Sequence, residues 1–258
     1  MNLTKNKCAN AMPASTEAGI YREPPFRLLN AHGSSPVVLV CEHASCFIPD
    51  ELRQLGLDDE AAQEHIAWDI GALALAEALS ARLDAPLLVA GYSRLLIDLN
   101  RPLAAPDSIP EHSEIYPIPG NQGLDAATRA ERQACLFEPF HRQLAELVDQ
   151  RLAAGMPVRL VGVHSFTPSY RGVLRPWVAG VLYGRAQVYA ARVIAGLRQY
   201  GEEIGANQPY QIDPTEDMTV PVHGDERGVD AVLIEIRNDG LRTPQGVEDW
   251  AARLTPWL

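Results

Sequence analysis

The sequence predicts an α/β protein built on a mixed, largely parallel sheet, and two observations carry that expectation. Short apolar runs too continuous for surface strands, such as Val37 to Val40, alternate along the chain with longer stretches of helical periodicity, the pattern of strands and helices packed in layers. The 37–40 run then ends abruptly in Glu42 and His43, at the carboxyl end of a strand, where open α/β sheets build their ligand sites.

Taken in order, residues 1–25 are polar, small and proline-bearing, and are expected to form a mobile arm, leaving 26–258 as one domain. After the first strand, Asp58 to Leu83 carries alanine and leucine at helical spacing, and Gly71 divides it into two helical pieces. Pro86 to Ala90 and Arg94 to Leu99 read as two short strands parted by Gly91-Tyr92-Ser93. Residues 102–123 hold prolines 102, 106, 110, 117 and 119, too many for a regular element; a loop of this length is expected to act as a lid or pocket wall. Asp125 to Ala154 is the strongest helix, with Leu136, Phe140, Leu144, Leu147 and Val148 on one face and Gly155 and Pro157 as its stop. Strands Val158–Val163 and Val178–Tyr183, helix Ala186–Tyr200, strand Ala231–Ile236 and a last helix from Gln245 complete the alternation.

A net charge of -11 without a cluster of Lys and Arg excludes a nucleic-acid surface. No run approaches the roughly 18 apolar residues of a membrane span, and Met1 to Glu17 lacks the apolar segment of a secretory signal. Cys8, Cys41, Cys46 and Cys135 show neither CxxC spacing nor a disulfide framework, so a reducing cytoplasm is expected. The expected partner is a small molecule.

Four polar residues stand at or beside the apolar runs: His43, Asp69, His164 and Glu235. Two imidazoles and a carboxylate satisfy a borderline metal such as zinc and leave one position open. Each residue also has a bland role: Asp69 as a helix cap, either histidine as a hydrogen-bonded core residue, Glu235 in an ion pair with Arg237 two positions on. The joint pattern favours chemistry, because four strand-end polar residues separated by long stretches of chain are seldom all scaffold. Asn100 and Arg101, in Asp98-Leu99-Asn100-Arg101-Pro102, suggest an anchor for an acidic substrate, since a guanidinium presents a planar fork to a carboxylate. Arg101 has Asp98 or Asp107 as alternative partners, and Arg171 and Arg237 are further candidates for the anchor. A Cys41/His43 nucleophilic pair lacks an orienting third group, Ser165 lacks a GxSxG context, and no GxGxxG or P-loop sequence occurs.

With His43, Asp69, DLNRP at 98–102, GVHSF at 162–166 and LIEIRND at 233–239 in view, the chain resembles the N-formylglutamate amidohydrolase family over roughly residues 36–256. More distantly it looks like the zinc carboxypeptidase, aspartoacylase and cell-wall amidase group. The resemblance implies a single-domain, three-layer α/β sandwich of the zinc-peptidase kind and a metallohydrolase activity. It implies His43, Asp69 and His164 as zinc ligands, Glu235 as base, and Asn100 and Arg101 as carboxylate anchor. Where members usually carry Pro-His-Ser-Gly, this chain has Cys41-Glu42-His43-Ala44-Ser45, which makes Glu42 a rival for the acidic ligand. The implied reaction is metal-assisted hydrolysis of an acidic N-acyl amino acid such as N-formylglutamate, with Arg94 or Arg171 steadying the oxyanion. The alternatives are a zinc hydrolase of another N-acyl amino acid or short peptide, and a non-catalytic small-molecule binding protein.

Overall fold

The computed structural model describes residues 19–258. The arm expected over 1–25 therefore lies largely outside the described residues, and 19–25 lead without regular structure into the first strand. The elements run β1 (Phe26–Leu29), β2 (Val37–Cys41), α1 (Ala72–Leu83), β3 (Leu87–Ala90), the small pair β4 (His112–Ser113) and β5 (Tyr116–Pro117), α2 (Ala126–Arg132), α3 (Glu138–Ala153), β6 (Arg159–Phe166), the hairpin β7 (Ser169–Tyr170) and β8 (Val173–Leu174), β9 (Ala179–Tyr183), α4 (Gln187–Arg198), β10 (Ile204–Ala206), β11 (Asp230–Arg237) and α5 (Pro244–Leu254). Seven strands form the main sheet in the order β1-β3-β2-β6-β11-β9-β10. The central four, β3, β2, β6 and β11, are parallel, whereas β1 and β9 join antiparallel to their inner neighbours.

Side chains alternate across a strand, and here both faces are apolar, which is why the runs read as continuous. Leu39, Val161 and Ile234 pack on one side against Leu75 of α1, Val193 of α4 and Leu254 of α5. On the other side Val40, Leu160 and Leu233 pack against Phe140 and Leu144 of α3. Helices therefore cover both faces, giving the three-layer mixed sandwich that the sequence predicts.

Several boundaries differ, for identifiable reasons. Residues 94–99 form no strand. Their buried carbonyls are satisfied by side chains instead: Asn121 Nδ2 donates to Leu95 O at 2.7 Å, Arg132 Nη1 to Leu96 O at 2.8 Å and His141 Nε2 to Leu99 O at 2.8 Å. A buried backbone needs partners, and these three take the place of a neighbouring strand. Of the two helical pieces expected over 58–83, only α1 is an α-helix; Ala61–Gln63 is a single 3-10 turn. Gly71, at φ 84°, supplies the left-handed residue from which α1 starts. The long helix is interrupted by a π-helical turn at Gln133–Phe137 just before Pro139, which has no N–H to continue the ladder. Strands β1 and β10 escape sequence detection, being three or four residues long and at the sheet edges.

Candidate metal centre

The parallel strands all point their carboxyl ends to one edge, and the candidate residues gather there. β2 runs directly into Glu42 and His43, while β6 carries His164 and β11 carries Glu235 at paired positions of adjacent strands. Alternation places both on the α3 side of the sheet, the side of Leu160 and Leu233. Asp69 arrives from the turn before α1, pinned by its N–H donating to His43 O at 2.9 Å. Its side chain does not cap that helix, whose N-cap is Gly71 without a side-chain hydrogen bond. It turns into the site, where Oδ2 accepts from Ser165 N at 3.2 Å.

Donor atoms of His43, Asp69 and His164, all three buried, lie within 4.8 Å of one another. Both imidazoles turn Nδ1 toward Asp69 Oδ2, at 3.4 Å from His43 and 2.8 Å from His164. Ligands bonded to zinc at about 2.0–2.1 Å sit roughly 3 to 3.5 Å apart, so these three would need only small shifts to share an ion. Behind each ring stands another carboxylate: Asp98 Oδ1 at 2.8 Å from His43 Nε2, and Glu42 Oε2 at 3.2 Å from His164 Nε2. Carboxylates behind ligating histidines fix the tautomer and raise ligand basicity. Glu42 is thus placed behind His164 rather than beside Asp69, with Oε1 accepting from the Thr219 hydroxyl. That position sets it apart from the cluster of His43, Asp69 and His164 donor atoms.

Charge balance fits a divalent cation as well. Three buried carboxylates, Glu42, Asp69 and Asp98, face one guanidinium, Arg94, which reaches Asp98 Oδ2 at 2.5 and 2.9 Å and Asp69 Oδ1 at 3.5 Å. The two uncompensated negative charges are what a dication neutralises. The two imidazoles lie against the same carboxylates. Burial opposes the charged form of His164, yet the adjacent Glu42 and Asp69 carboxylates raise its pKa well above the ordinary histidine value. Burial and Arg94 likewise oppose charge on His43, and Asp98 and Asp69 overcome them to raise it. Burial pushes the Glu42 carboxyl up, but His164 and Thr219 outweigh it and hold Glu42 at about 2.

Glu235 differs from these acids in forming no ion pair among the described residues. It is buried, its Oε2, like that of Glu42, has no hydrogen-bond partner there, and desolvation raises its pKa to about 7 despite the nearby cations. It lines a cavity of about 510 Å³ together with His43, Asp69, Asn100, Arg101 and His164. A hollow of about 600 Å³ beside Phe47 and Gln54 contains no histidine, and its only acid, Asp50, is exposed.

The other expected residues divide. Arg101 lines the cavity but already meets Asp107 at 3.3 Å, Asp217 at 3.9 Å and Glu216 O at 2.6 Å. Asn100 lines it too, with Oδ1 accepting from Thr219 N at 3.0 Å and Nδ2 facing Asp217 at 3.3 Å, so its amide holds the 217–219 segment in place. Arg171 reaches the cavity from the β7–β8 turn. Arg237 does not: Asp239 draws it away at 2.9 Å into a separate hollow, which removes it both as anchor and as partner of Glu235. Cys41 packs on the opposite face of the sheet from the site, and burial raises its thiol pKa, so no Cys41/His43 nucleophile forms. Sequence reasoning missed Asp98 and Glu42 as supports of the histidines, and Tyr210 and Arg175 as cavity walls. Only Asp98 carried a signal, its i+4 spacing from Arg94.

Residues 35–241 match the family model of N-formylglutamate amidohydrolase. A gene product of Agrobacterium tumefaciens superposes with a TM-score of 0.88 at 38% identity, over 91% of this chain and 93% of that one. An N-formylglutamate amidohydrolase from Ralstonia eutropha JMP134 superposes with a TM-score of 0.61 at 20% identity, over 92% and 100%, a likeness of fold. No curated protein matches the chain. Among the described residues no helix is long and apolar enough to cross a membrane.

Proposed function

The chain belongs to the N-formylglutamate amidohydrolase family, and from that premise we propose that it is a metal-dependent amidohydrolase that removes the acyl group from an acidic N-acyl amino acid such as N-formylglutamate. One observation carries the reading: His43, Asp69 and His164 converge beside Glu235, a buried carboxyl with a free oxygen and a pKa near neutrality. His43, Asp69 and His164 would hold the ion, zinc being a fit for two imidazoles and a carboxylate. When bound, it supplies Lewis acidity that polarises an acyl oxygen and acidifies water.

This chain's residues do the rest. Glu235 takes a proton from the attacking water and returns it to the leaving amine nitrogen, a role for which a pKa near the working pH is best. Asp98 and Glu42 keep the two imidazoles oriented. Arg94, held by Asp98, offers a permanent positive charge at the cavity wall for the developing oxyanion. Asn100 and Arg101 anchor the α-carboxylate. Steady-state hydrolysis of N-formyl-L-glutamate, with metal content measured on the same preparation and activity followed through chelation and zinc re-addition, tests the reading. Undiminished turnover after the metal is stripped overturns the metal dependence, and no turnover of any N-acyl acidic amino acid overturns the reaction.

A further inference from the structure

The reading above supplies a place for one substrate carboxylate, whereas an N-acyl glutamate or aspartate carries two. We infer that Arg175, together with Tyr210, forms the subsite for the side-chain carboxylate of a dicarboxylate substrate; the inference deepens the proposed amidohydrolase reading and rests on it for the identity of the substrate.

Four guanidiniums line the cavity that holds Glu235: Arg94, Arg101, Arg171 and Arg175. Two already have a place in the proposed reaction: Arg94, held by Asp98 and Asp69, at the oxyanion, and Arg101, held between Asp107 and Asp217, at the α-carboxylate. Arg175, among the described residues, meets no carboxylate within ion-pair distance. Aromatic rings hold it instead, with its guanidinium carbon 4.9 Å from the centroid of Tyr170, 4.9 Å from that of Tyr210 and 5.6 Å from that of Phe166. These cation–π contacts hold the guanidinium in place, and its N–H edge can meet a planar acceptor. On that edge Nη2 donates to the Tyr210 hydroxyl at 2.7 Å and Nη1 donates to Thr167 O and Oγ1, each at 3.4 Å, while Nε–H has no partner among the described residues. Because the Tyr210 oxygen accepts from Arg175, its own proton remains to be donated. The pair thus presents charge-assisted donors and no acid, the chemistry that recognises a carboxylate.

Backbone construction keeps the pair in register with the site. Arg175 N–H donates to Pro168 O at 2.9 Å, closing the β7–β8 hairpin immediately after β6, the strand of His164. Tyr210 follows a segment fastened to β9, where Asn207 N donates to Val181 O at 2.9 Å and Asn207 Oδ1 accepts from Tyr183 N at 2.9 Å. Gly180, which faces Glu235 across the β9–β11 pair, lets that segment approach: a Cβ there would lie 1.8 Å from Gln208 O. Arg171, the other guanidinium without a carboxylate, is exposed on the hairpin turn and has only Tyr170 beneath it, so it is less fixed.

The test compares N-formyl-L-glutamate with N-formyl-L-glutamine, which is nearly isosteric and neutral at the side chain, on the wild type and on Arg175→Gln, Arg175→Lys and Tyr210→Phe. We expect the wild type to prefer the glutamate substrate, and Arg175→Gln to lower kcat/KM for it by about 30-fold or more with little change for glutamine. Arg175→Lys should recover only part of the loss and Tyr210→Phe should cost several-fold on glutamate alone. An unchanged glutamate-to-glutamine ratio in Arg175→Gln overturns the subsite. Calorimetric titration with L-glutamate and L-glutamine separates the two readings: Arg175-dependent preference for glutamate without any hydrolysis sustains the subsite while the amidohydrolase reading falls, and equal binding of the two amino acids overturns the subsite.

Discussion

Glu235 stands directly across from His164 in the register of the parallel pair β6–β11. Adjacent parallel strands lie about 4.8 Å apart, so this pairing brings the buried acid beside His164 without any loop in between. Their relative placement is thereby fixed by the sheet itself.

From that register follows the behaviour of Glu235→Gln. The amide keeps shape and burial but accepts no proton, so kcat should fall by about 10²- to 10⁴-fold while metal content stays at the wild-type level. Wild-type turnover in this variant would move the base elsewhere.

The supporting carboxylates give a graded prediction. His43→Ala or His164→Ala should abolish metal retention, whereas Asp98→Asn and Glu42→Gln, which disturb only the far nitrogens, should weaken metal affinity by about 10- to 100-fold. Competition titration against a zinc chelator reads the difference. Equal affinity in all four proteins would dissolve the distinction between ligand and support.

Arg101→Lys should lower kcat/KM for N-formylglutamate by an amount equivalent to roughly 2 to 5 kcal/mol, without loss of metal, because a point charge cannot reproduce the fork that Asp107, Asp217 and Glu216 hold in place. A substrate amidated at its α-carboxyl should be poor for the wild type and indifferent to the substitution. If free acid and amide are hydrolysed alike, Arg101 is confined to its structural ion pairs.

A buried histidine pair beneath the site predicts an acid limb of stability. His141 Nε2 donates to Leu99 O, so its Nδ1 accepts from His223 Nε2 at 2.9 Å and both rings are neutral. Burial lowers the pKa of His141 to about 4, and burial with His141 nearby lowers that of His223 to about 3. Both values are depressed from the unfolded value of about 6.5, so the contribution is fully present above pH 6.5 and is lost as pH falls toward 4. Urea midpoints measured from pH 7.5 to 4.5 should therefore decline less steeply in His223→Gln, whose amide still donates to His141. Identical slopes would show that the pair is not linked to the acid transition.

Gly180→Ala tests the close approach behind Tyr210. The added Cβ would meet the Gln208 carbonyl, a backbone atom that has no rotamer to escape into, so the variant should be destabilised by about 1–3 kcal/mol and should lose preference for the diacid. Wild-type stability together with unchanged substrate preference would mean that the 207–210 segment yields freely.

What the sequence by itself determined follows from local periodicity. Continuous apolar runs announced the two-sided sheet, the spacing of Leu136 to Val148 announced the helix that covers one face, and polar residues at the ends of those runs announced His43, His164 and Glu235 as a gathered set. Strand alternation is a property of the backbone, so which residues share a face is legible without the fold. The tertiary structure alone decided the rest, because it depends on which distant segments cross. Residues 94–99 are as apolar as a strand, yet side chains from Asn121, Arg132 and His141 capture their carbonyls and no ladder forms. Glu42 and Asp98 face the Nε2 atoms of the two imidazoles while Asp69 faces their Nδ1 atoms, a matter of a few ångströms set by packing. Arg237 stood out in the sequence as a candidate anchor and Arg175 did not; Asp239 claims the first, and three aromatic rings leave the charge of the second unanswered in the cavity. A charged side chain takes its role from the nearest opposite charge, and that neighbour comes from chain crossings that no local pattern encodes.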